Sequence, residues 1–482
     1  MGSRLTYEVA VAMQAIYVDL DGTLIRSDLL MESLLATARA QPLRLLFVPW
    51  WLLRGRACLK ENLAAAGGVD VRTLPYRVEF VEWLQQQARS GHRLILTTAA
   101  NERLAQAVAS HVALFDETLA STATVNLKGQ RKAEAILAHA GGQQFWYAGN
   151  DHADLPVWQR AAGAILVDTD ASIARKARAT TTAIAEWPAR GFALSPWLRA
   201  LRVYQWAKNF LVFVPLITAH LWADVAALGN AVLAFFALSL CASSVYLIND
   251  LLDLPSDRRH PRKCRRPFAS GALPISQGLM VAPFLAAAGL LLASVVSLSF
   301  FAVTLVYLVT TTAYSVRLKT FVLLDVMALA CLYTVRVIAG AVAIGVVVSF
   351  WLLAFSMFMF LSLALVKRYS ELLALAELQR TSASGRDYRV TDLGVVQSLG
   401  VASGFAAVLV FALFINSDAV TGAYSRPYFL WTLCGTLLYW IARMWLKAVR
   451  GEMHDDPLLY AVRDRASIVM LAISLAAVAV AV

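Results

Sequence analysis

Residues 249–271 read NDLLDLPSDRRHPRKCRRPFASG, and most of the fold can be built outward from them. On a helix, Asp250, Asp253 and Asp257 fall at i, i+3 and i+7, which places three carboxylates on one face. Carboxylates so placed repel one another unless a cation sits between them. Mg²⁺ favours a few carboxylates completed by phosphate oxygens. Arg258, Arg259, Arg262, Lys263, Arg265 and Arg266 follow at once, a supply of donors suited to a phosphate-rich ligand. Bases that only fixed topology would leave the aspartates unexplained, because acidic residues contribute little to orientation.

Apolar runs flank this stretch. A spanning helix needs about 20 mostly apolar residues, and such stretches begin near Asn209, Leu228, Leu279, Phe300, Phe321, Ile344, Val395, Tyr428 and Ala466. The sequence therefore predicts about nine transmembrane helices. Alternate loops hold Arg317 and Lys319, then Lys367, Arg368, Arg380, Arg386 and Arg389, then Arg443, Lys447, Arg450, Arg463 and Arg465. These join the six bases above on one side, against Arg426 on the other, so the positive-inside rule puts that side in the cytoplasm. The expected location is the cell (inner) membrane, multi-pass, with the N-terminal region cytoplasmic and no signal peptide before it.

The composition agrees. Of 482 residues, 59% are hydrophobic and 16% charged, and mean hydropathy is +0.60; soluble domains carry about 25% charged residues. Disorder is excluded by the same excess of apolar side chain. The five cysteines form no CxxC pair, which excludes a disulfide scaffold or zinc cage. Net charge is +11, but the bases sit in membrane loops without a base-reading motif, so nucleic acid is not the expected partner. Through Lys208 there are 23 Lys/Arg and 18 Asp/Glu, against 20 and 14 in the longer remainder. The expected organisation is a soluble region at 1–195, a linker or interfacial segment at 196–208, and a membrane region at 209–482.

The soluble region reads as strands alternating with helices. AIYVDLD (Ala15 to Asp21) is a short apolar strand closing on two aspartates. HRLILTT (His92 to Thr98) ends in threonines, a helical pattern begins around Lys132 after Gly129, and the strand Gln144 to Ala148 runs into Gly149-Asn150-Asp151 and Asp154. Any one aspartate alone is best read as a turn or N-cap residue. Together, at the carboxyl ends of parallel strands, they form a set with a purpose. One carboxylate can attack phosphorus, a second can act as acid and base, and a hydroxyl and a lysine can neutralise phosphoryl oxygens.

DLDGTL at Asp19 to Leu24 resembles the haloacid dehalogenase superfamily of phosphatases. That resemblance implies an α/β Rossmann-like fold with a small helical cap at about 26–90. It also implies Asp19 as nucleophile, Asp21 as acid/base, Thr98 and Lys132 as phosphate contacts, and Mg²⁺ at Asp19, Asp21 and Asp154. The family's GDxxxD pattern has Asn150 at its first acidic position here. Within the cap, LRLLFVPWWLLRGR (Leu43 to Arg56) reads either as cap core or as a segment resting on membrane lipids.

The membrane region resembles the UbiA superfamily, all-α enzymes of intramembrane prenyl-group chemistry, through the NDxxDxxxD pattern at Asn249 to Asp257. DRRHPRKCRRPFASG, with QWAKN at Gln205 to Asn209, YSVRLK at Tyr314 to Lys319 and KRYSE at Lys367 to Glu371, is similar to the polyprenyl-phosphate phosphoribosyltransferase branch. The resemblance implies transfer of 5-phosphoribose from phosphoribosyl pyrophosphate to a polyprenyl phosphate. Asp250 and Asp253 are then catalytic, and they hold Mg²⁺ with Asp257. Lys208, Asn249, Arg258, Lys263, Arg266, Tyr314, Lys319, Arg336, Lys367 and Arg368 are the expected substrate contacts. Arg336 lies eleven residues past Asp325, nearly the same helical azimuth, so the two are expected to share a column lining a cavity. An aromatic or quinone prenyltransferase with a regulatory soluble domain is the competing expectation. The absence of DxxxD between Lys367 and Leu393 favours the phosphoribosyl branch.

Overall fold

A computed structural model describes residues 14–189, 191, 193–377, 387–417, 420, 424–453 and 456–481. Arg380 and Arg386 of the predicted basic loop lie outside the described residues. The chain divides into two compact units. One comprises the residues up to Leu201 together with Asp250–Val281; the other comprises Arg202–Asn249 and Ala282–Val482.

The first unit is built on a six-stranded parallel sheet in the order β3-β2-β1-β4-β5-β6. The strands are β1 (Ala15–Val18), β2 (Leu94–Asn101), β3 (Glu117–Ser121), β4 (Phe145–Gly149), β5 (Gly163–Thr169) and β6 (Thr182–Pro188). β1 is fully covered because its alternate side chains enter different cores. Ile16 and Val18 pack with Leu94, Leu96, Phe80 and Leu84, while Tyr17 packs with Ile136, Tyr147 and Trp158. β1 pairs with β2 on one side and β4 on the other. The strand order reverses beside β1, the place where open parallel sheets bind ligands.

Between β1 and β2 the chain forms the helices Leu29–Ala40, Val48–Leu53 and Arg56–Ala65, then Val78–Arg89. Phe80 and Leu84 of the last of these belong to the core of the sheet, so that helix is the crossover of the sheet itself.

Seven helices among the described residues are long and apolar enough to cross a bilayer: Val225–Leu252, Ile275–Val296, Leu298–Val316, Leu324–Ala343, Phe350–Glu377, Val390–Ile415 and Pro427–Val449. The sequence predicts nine. The expected span from Asn209 is instead a 3-10 helix, Val203–Phe213, followed by the short helix Val214–Thr218. Pro215 sits in the first turn of that short helix, where its missing N–H is tolerated, and Val214 before it keeps helical backbone, so the run stays helical from Val203 to Thr218 and ends there. The ninth, Arg465–Ala481, has 17 residues, a rise of about 26 Å against a hydrocarbon core of about 30 Å.

In the second unit Leu324–Ala343 is the most enclosed of these helices, and its close neighbour is the 3-10 segment. A side chain on Gly340 would meet the Val212 carbonyl oxygen at 2.0 Å, so the two backbones touch where only hydrogen fits. Gly340→Ala is expected to lower stability by about 1–3 kcal/mol, the usual cost of overpacking. It should be read as a lower Tm of the purified full chain, with Gly435→Ala, where nothing lies within 4 Å, as the unaffected comparison.

Candidate functional sites

In the first unit the carboxyl ends of β1, β2, β4 and β5 open into a cavity of about 1140 Å³. Asp19 follows β1, and its amide is held by the Ala148 carbonyl at 2.9 Å. Lys132, from the helix Gln130–Ala140, donates to Asp19 Oδ1 at 2.9 Å, to the Tyr147 hydroxyl at 2.9 Å and to Asp154 Oδ1 at 3.4 Å. Burial raises the Asp19 carboxyl, and although Lys132 opposes this, it stands at about 6. Asp21 is raised further by burial and by the charge of Asp28, while one oxygen accepts the Leu29 amide at 2.9 Å. Both carboxyls thus stand above the ordinary carboxylate range, with burial as the leading cause, the kind of environment that prepares a carboxyl to act as an acid. Burial pulls Lys132 down, but Asp19 and Asp154 outweigh it and the amine stays charged.

Thr98 and Asp154 both make contacts within the protein. Thr98 is fully buried, its hydroxyl accepting the Ala100 amide at 2.9 Å; the neighbouring Ala99, Ala100 and Asn101 line the cavity. Asp154 was expected to hold metal, yet both its oxygens are already engaged. Oδ1 accepts from Tyr147 at 2.6 Å as well as from Lys132, and Oδ2 accepts the amides of Asn150 and Asp151 at 3.0 Å each. These contacts place Asp154 beside Lys132 in the wall of the cavity. Asn150 accepts from the Thr23 hydroxyl at 3.3 Å and lies over Gly22, where φ is +76° and a side chain would meet the Asn150 amide at 2.2 Å. Lys60, missed in the sequence, reaches the cavity from the cap, held by the Ala99 carbonyl at 2.5 Å and Asn126 at 2.9 Å.

The acidic turn belongs to the same unit. The helix Val225–Leu252 stops at Asp253, and Pro255 helps start a new one, Leu254–Arg259, so the three aspartates do not share one continuous helix. Asp250 and Asp257 still converge: one nitrogen of Arg266 lies 3.0 Å from Asp250 and 2.6 Å from Asp257, and both carboxylates are buried. Burial raises the Asp257 carboxyl against the pull of Arg266. Asp253 is half-buried at the join, and Lys263 is exposed.

Arg258, expected to bind substrate, is spent elsewhere. Its guanidinium makes a two-pronged pair with Glu32 of the helix Leu29–Ala40, at 2.6 and 3.1 Å, and donates to the Ala269 carbonyl at 3.2 Å. Both charged groups are buried. Arg259 reaches Asp70 at 2.5 Å.

Among the described residues no group of three or more His, Cys, Asp or Glu could hold a metal ion by protein ligands alone. Two carboxylates meeting at one cation, Asp250 with Asp257, match what Mg²⁺ takes when phosphate oxygens and water complete its shell. Asp19 and Asp21 offer a similar pair.

The second unit gathers a different set. Asp456, in a loop whose spacing predicted nothing, accepts from Lys208 at 2.6 Å, from Lys367 at 3.5 Å and from the Tyr333 hydroxyl at 3.3 Å. Burial would raise its carboxyl, but Lys208 and then Lys367 bring it down to about 2. The local signal was present: Asp456-Pro457 caps the helix Pro457–Arg463, the usual order of acid then proline at a helix start.

Arg336 is buried as expected, but its nitrogens are committed to Asn209 at 2.8 Å, the Tyr307 hydroxyl at 2.9 Å and the Leu332 carbonyl at 2.5 Å. It does not pair with Asp325. That carboxylate belongs to Arg368, 2.5 Å away, and to Tyr388 at 2.7 Å. Arg368, also bound to Glu371, is 1% exposed. Lys319 donates to Asn249 at 3.4 Å, and Tyr314 is half-buried beside the apolar cluster of Phe300 and Tyr307.

The architecture defines a multi-pass membrane protein carrying a haloacid dehalogenase-like domain. Residues 211–468 match the UbiA prenyltransferase family and residues 16–159 match the haloacid dehalogenase-like hydrolases. The chain belongs to the UbiA prenyltransferase family, with a haloacid dehalogenase-like domain at its N-terminal side.

It is 36% identical over 452 residues to "Uncharacterized protein y4nM" of Sinorhizobium fredii, covering 93% of this chain and 87% of that protein. It is 35% identical to "Nodulation protein NoeC" of Azorhizobium caulinodans over 59% of this chain and 92% of that one. It is 33% identical to a decaprenyl-phosphate phosphoribosyltransferase of Mycobacterium tuberculosis over 56% and 88%. A solved UbiA homolog from Archaeoglobus fulgidus, bound to GPP and Mg²⁺, aligns over 59% of this chain and 99% of its own, at 15% identity and a TM-score of 0.45.

Removing one side of a buried ion pair leaves the other charge stranded, typically at a cost of about 3–5 kcal/mol. Glu32→Ala is therefore expected to lower the Tm of the full chain strongly, and Glu32→Ala with Arg258→Met to recover most of the loss. At the Lys208–Lys367–Asp456 cluster the depressed carboxyl gives stability that is present above the ordinary carboxylate value and lost as pH falls towards about 2. Asp456→Asn should flatten that acid limb in a Tm-against-pH series.

Proposed function

We propose that this protein transfers 5-phosphoribose from phosphoribosyl pyrophosphate to a polyprenyl phosphate, and that its haloacid dehalogenase-like domain then removes the 5-phosphate. The observation that carries the first half is the Asp456 cluster. Among the described residues two ammonium groups, Lys208 and Lys367, reach one carboxylate, a donor-rich arrangement that suits an anionic acceptor better than a neutral aromatic one. The likeness to decaprenyl-phosphate phosphoribosyltransferases supports the same choice.

In the transfer, an oxygen of the lipid phosphate bonds to the anomeric carbon of the ribose while the carbon–oxygen bond to pyrophosphate breaks. Pyrophosphate leaves with the bonding pair. The acceptor is already an anion, so no residue has to take a proton from it. Lys208, Lys319 and Lys367 aim phosphate oxygens, and Arg336 keeps Asn209 and the Tyr333 ring in place beside them. Arg266 lies where it can turn from its two aspartates to a phosphate.

In the second step an oxygen of Asp19 bonds to phosphorus, the bond to the sugar 5-oxygen breaks, and Asp21 gives that oxygen its proton. Asp21 then takes a proton from the water that releases inorganic phosphate from Asp19. Lys132 neutralises phosphoryl charge, and Tyr147 and Asp154 hold it in line. Bound Mg²⁺ supplies charge neutralisation to phosphate oxygens, held by Asp250, Asp253 and Asp257 in one place and by Asp19 and Asp21 in the other.

The test is incubation of the purified full chain with labelled phosphoribosyl pyrophosphate and polyprenyl phosphate, followed by thin-layer separation of lipids. Label is expected in lipid carrying one phosphate with the intact protein and two with Asp19→Asn, and none with Asp250→Ala. Turnover of a prenyl diphosphate with an aromatic acceptor, and none of phosphoribosyl pyrophosphate, would overturn the reading. Because Asp19 must be ionised, the dephosphorylation rate should fall as pH drops through about 6. It should also fall at high pH once Asp21 loses the proton it donates.

A further inference from the structure

Within the first unit, Pro42–Phe47 and Val48–Leu53 form two short helical turns in which no residue is buried. Their apolar side chains are turned outward: Leu43 and Leu46 are each 76% exposed and Leu53 is 83% exposed, with Phe47, Trp50 and Leu52 all above half. This segment was open to a reading as cap core, and its exposure excludes that. Burying such side chains is favourable, so a surface of this kind marks an interaction site.

Charge says which partner fits. No Asp or Glu lies between Glu32 and Glu61, while Arg39, Arg44, Arg54, Arg56 and Lys60 all do. Arg54 stacks over the Trp50 ring at 4.8 Å, combining the base and aromatic preferred at a headgroup boundary. Position agrees with chemistry. Leu52 and Arg56 line the same cavity as Pro274, Ile275, Ser276 and Gln277, the start of the membrane-length helix Ile275–Val296. The second of the exposed turns and the first turn of that helix therefore border one cavity.

We propose that Pro42–Leu53 docks in the interface of an anionic lipid bilayer. The turns lie flat, apolar side chains among the upper acyl chains and bases among the headgroup phosphates. If the Asp19 site is a phosphatase, as read above, this docking sets its substrate class: a phosphomonoester on a membrane lipid, presented to a cavity that opens at headgroup depth.

The test uses the unmodified full chain in vesicles of phosphatidylcholine with a minority of phosphatidylglycerol carrying a photoreactive group beside its headgroup. After irradiation, peptide mass spectrometry should find lipid on 42–53 and none on the exposed face of Gln130–Ala140. Reversing two bases, Arg44→Glu with Arg54→Glu, should reduce lipid on 42–53 by more than tenfold, since two attractions to an anionic surface become two repulsions. The labelling of the membrane helices should be unchanged. Membrane helices labelled with 42–53 bare would overturn the proposal, as would protein-to-protein links through 42–53 in place of lipid.

The substrate clause has its own measurement. Leu46→Asp with Leu53→Asp should lose turnover of a lipid phosphomonoester while keeping that of p-nitrophenyl phosphate. Equal loss or equal retention of both would overturn the substrate class. A chain that hydrolyses neither substrate would instead overturn the phosphatase reading, with docking decided by the cross-links alone.

Discussion

A charge taken out of water has to be met by another, and the first unit is organised around one such meeting. Arg258 follows Asp257 directly, so the pair it makes with Glu32 also fixes the turn that carries the acidic residues. The pair satisfies every nitrogen of the guanidinium, two through a carboxylate and one through a carbonyl. That completeness lets so polar a group be buried at all. The same helix, Leu29–Ala40, begins where the Leu29 amide caps Asp21. One short helix thus touches the phosphatase-like carboxyls at its first turn and the acidic turn through its Glu32.

The second unit obeys the same constraint with different partners. Asp325 and Arg368 neutralise each other, Arg336 is met by Asn209 and Tyr307, and Asp456 collects two lysines. The ion pairs that hold the helices together can be told from groups suited to a ligand by their balance. Arg368 has more negative partners than it needs, whereas Lys208 and Lys367 divide a single carboxylate between them.

Much of this was legible in the sequence because local pattern and chemistry coincide there. DLDGTL after an apolar strand, and NDxxDxxxD at the end of an apolar run, led to both the fold class and the families. What escaped was decided by distant partners. Nothing around Arg258 says that Glu32 takes it, and nothing around Arg368 distinguishes it from Lys367 beside it. Helical azimuth put Arg336 with Asp325, but azimuth names a face and not the neighbour across it. Hydropathy marks a span from Asn209, whereas the helical run described there is Val203–Phe213 with Val214–Thr218. The motif position of Asp154 says nothing of the Tyr147, Lys132, Asn150 and Asp151 groups that meet its two oxygens.

The helices Ile275–Val296 and Leu298–Val316 are joined by Ser297 alone, and no charged residue lies between Arg266 and Arg317. The connection therefore offers no ionised group to hold that end of either helix in water, and the two make one continuous hydrophobic hairpin. The arginines on its two flanks give that hairpin its only charged anchors.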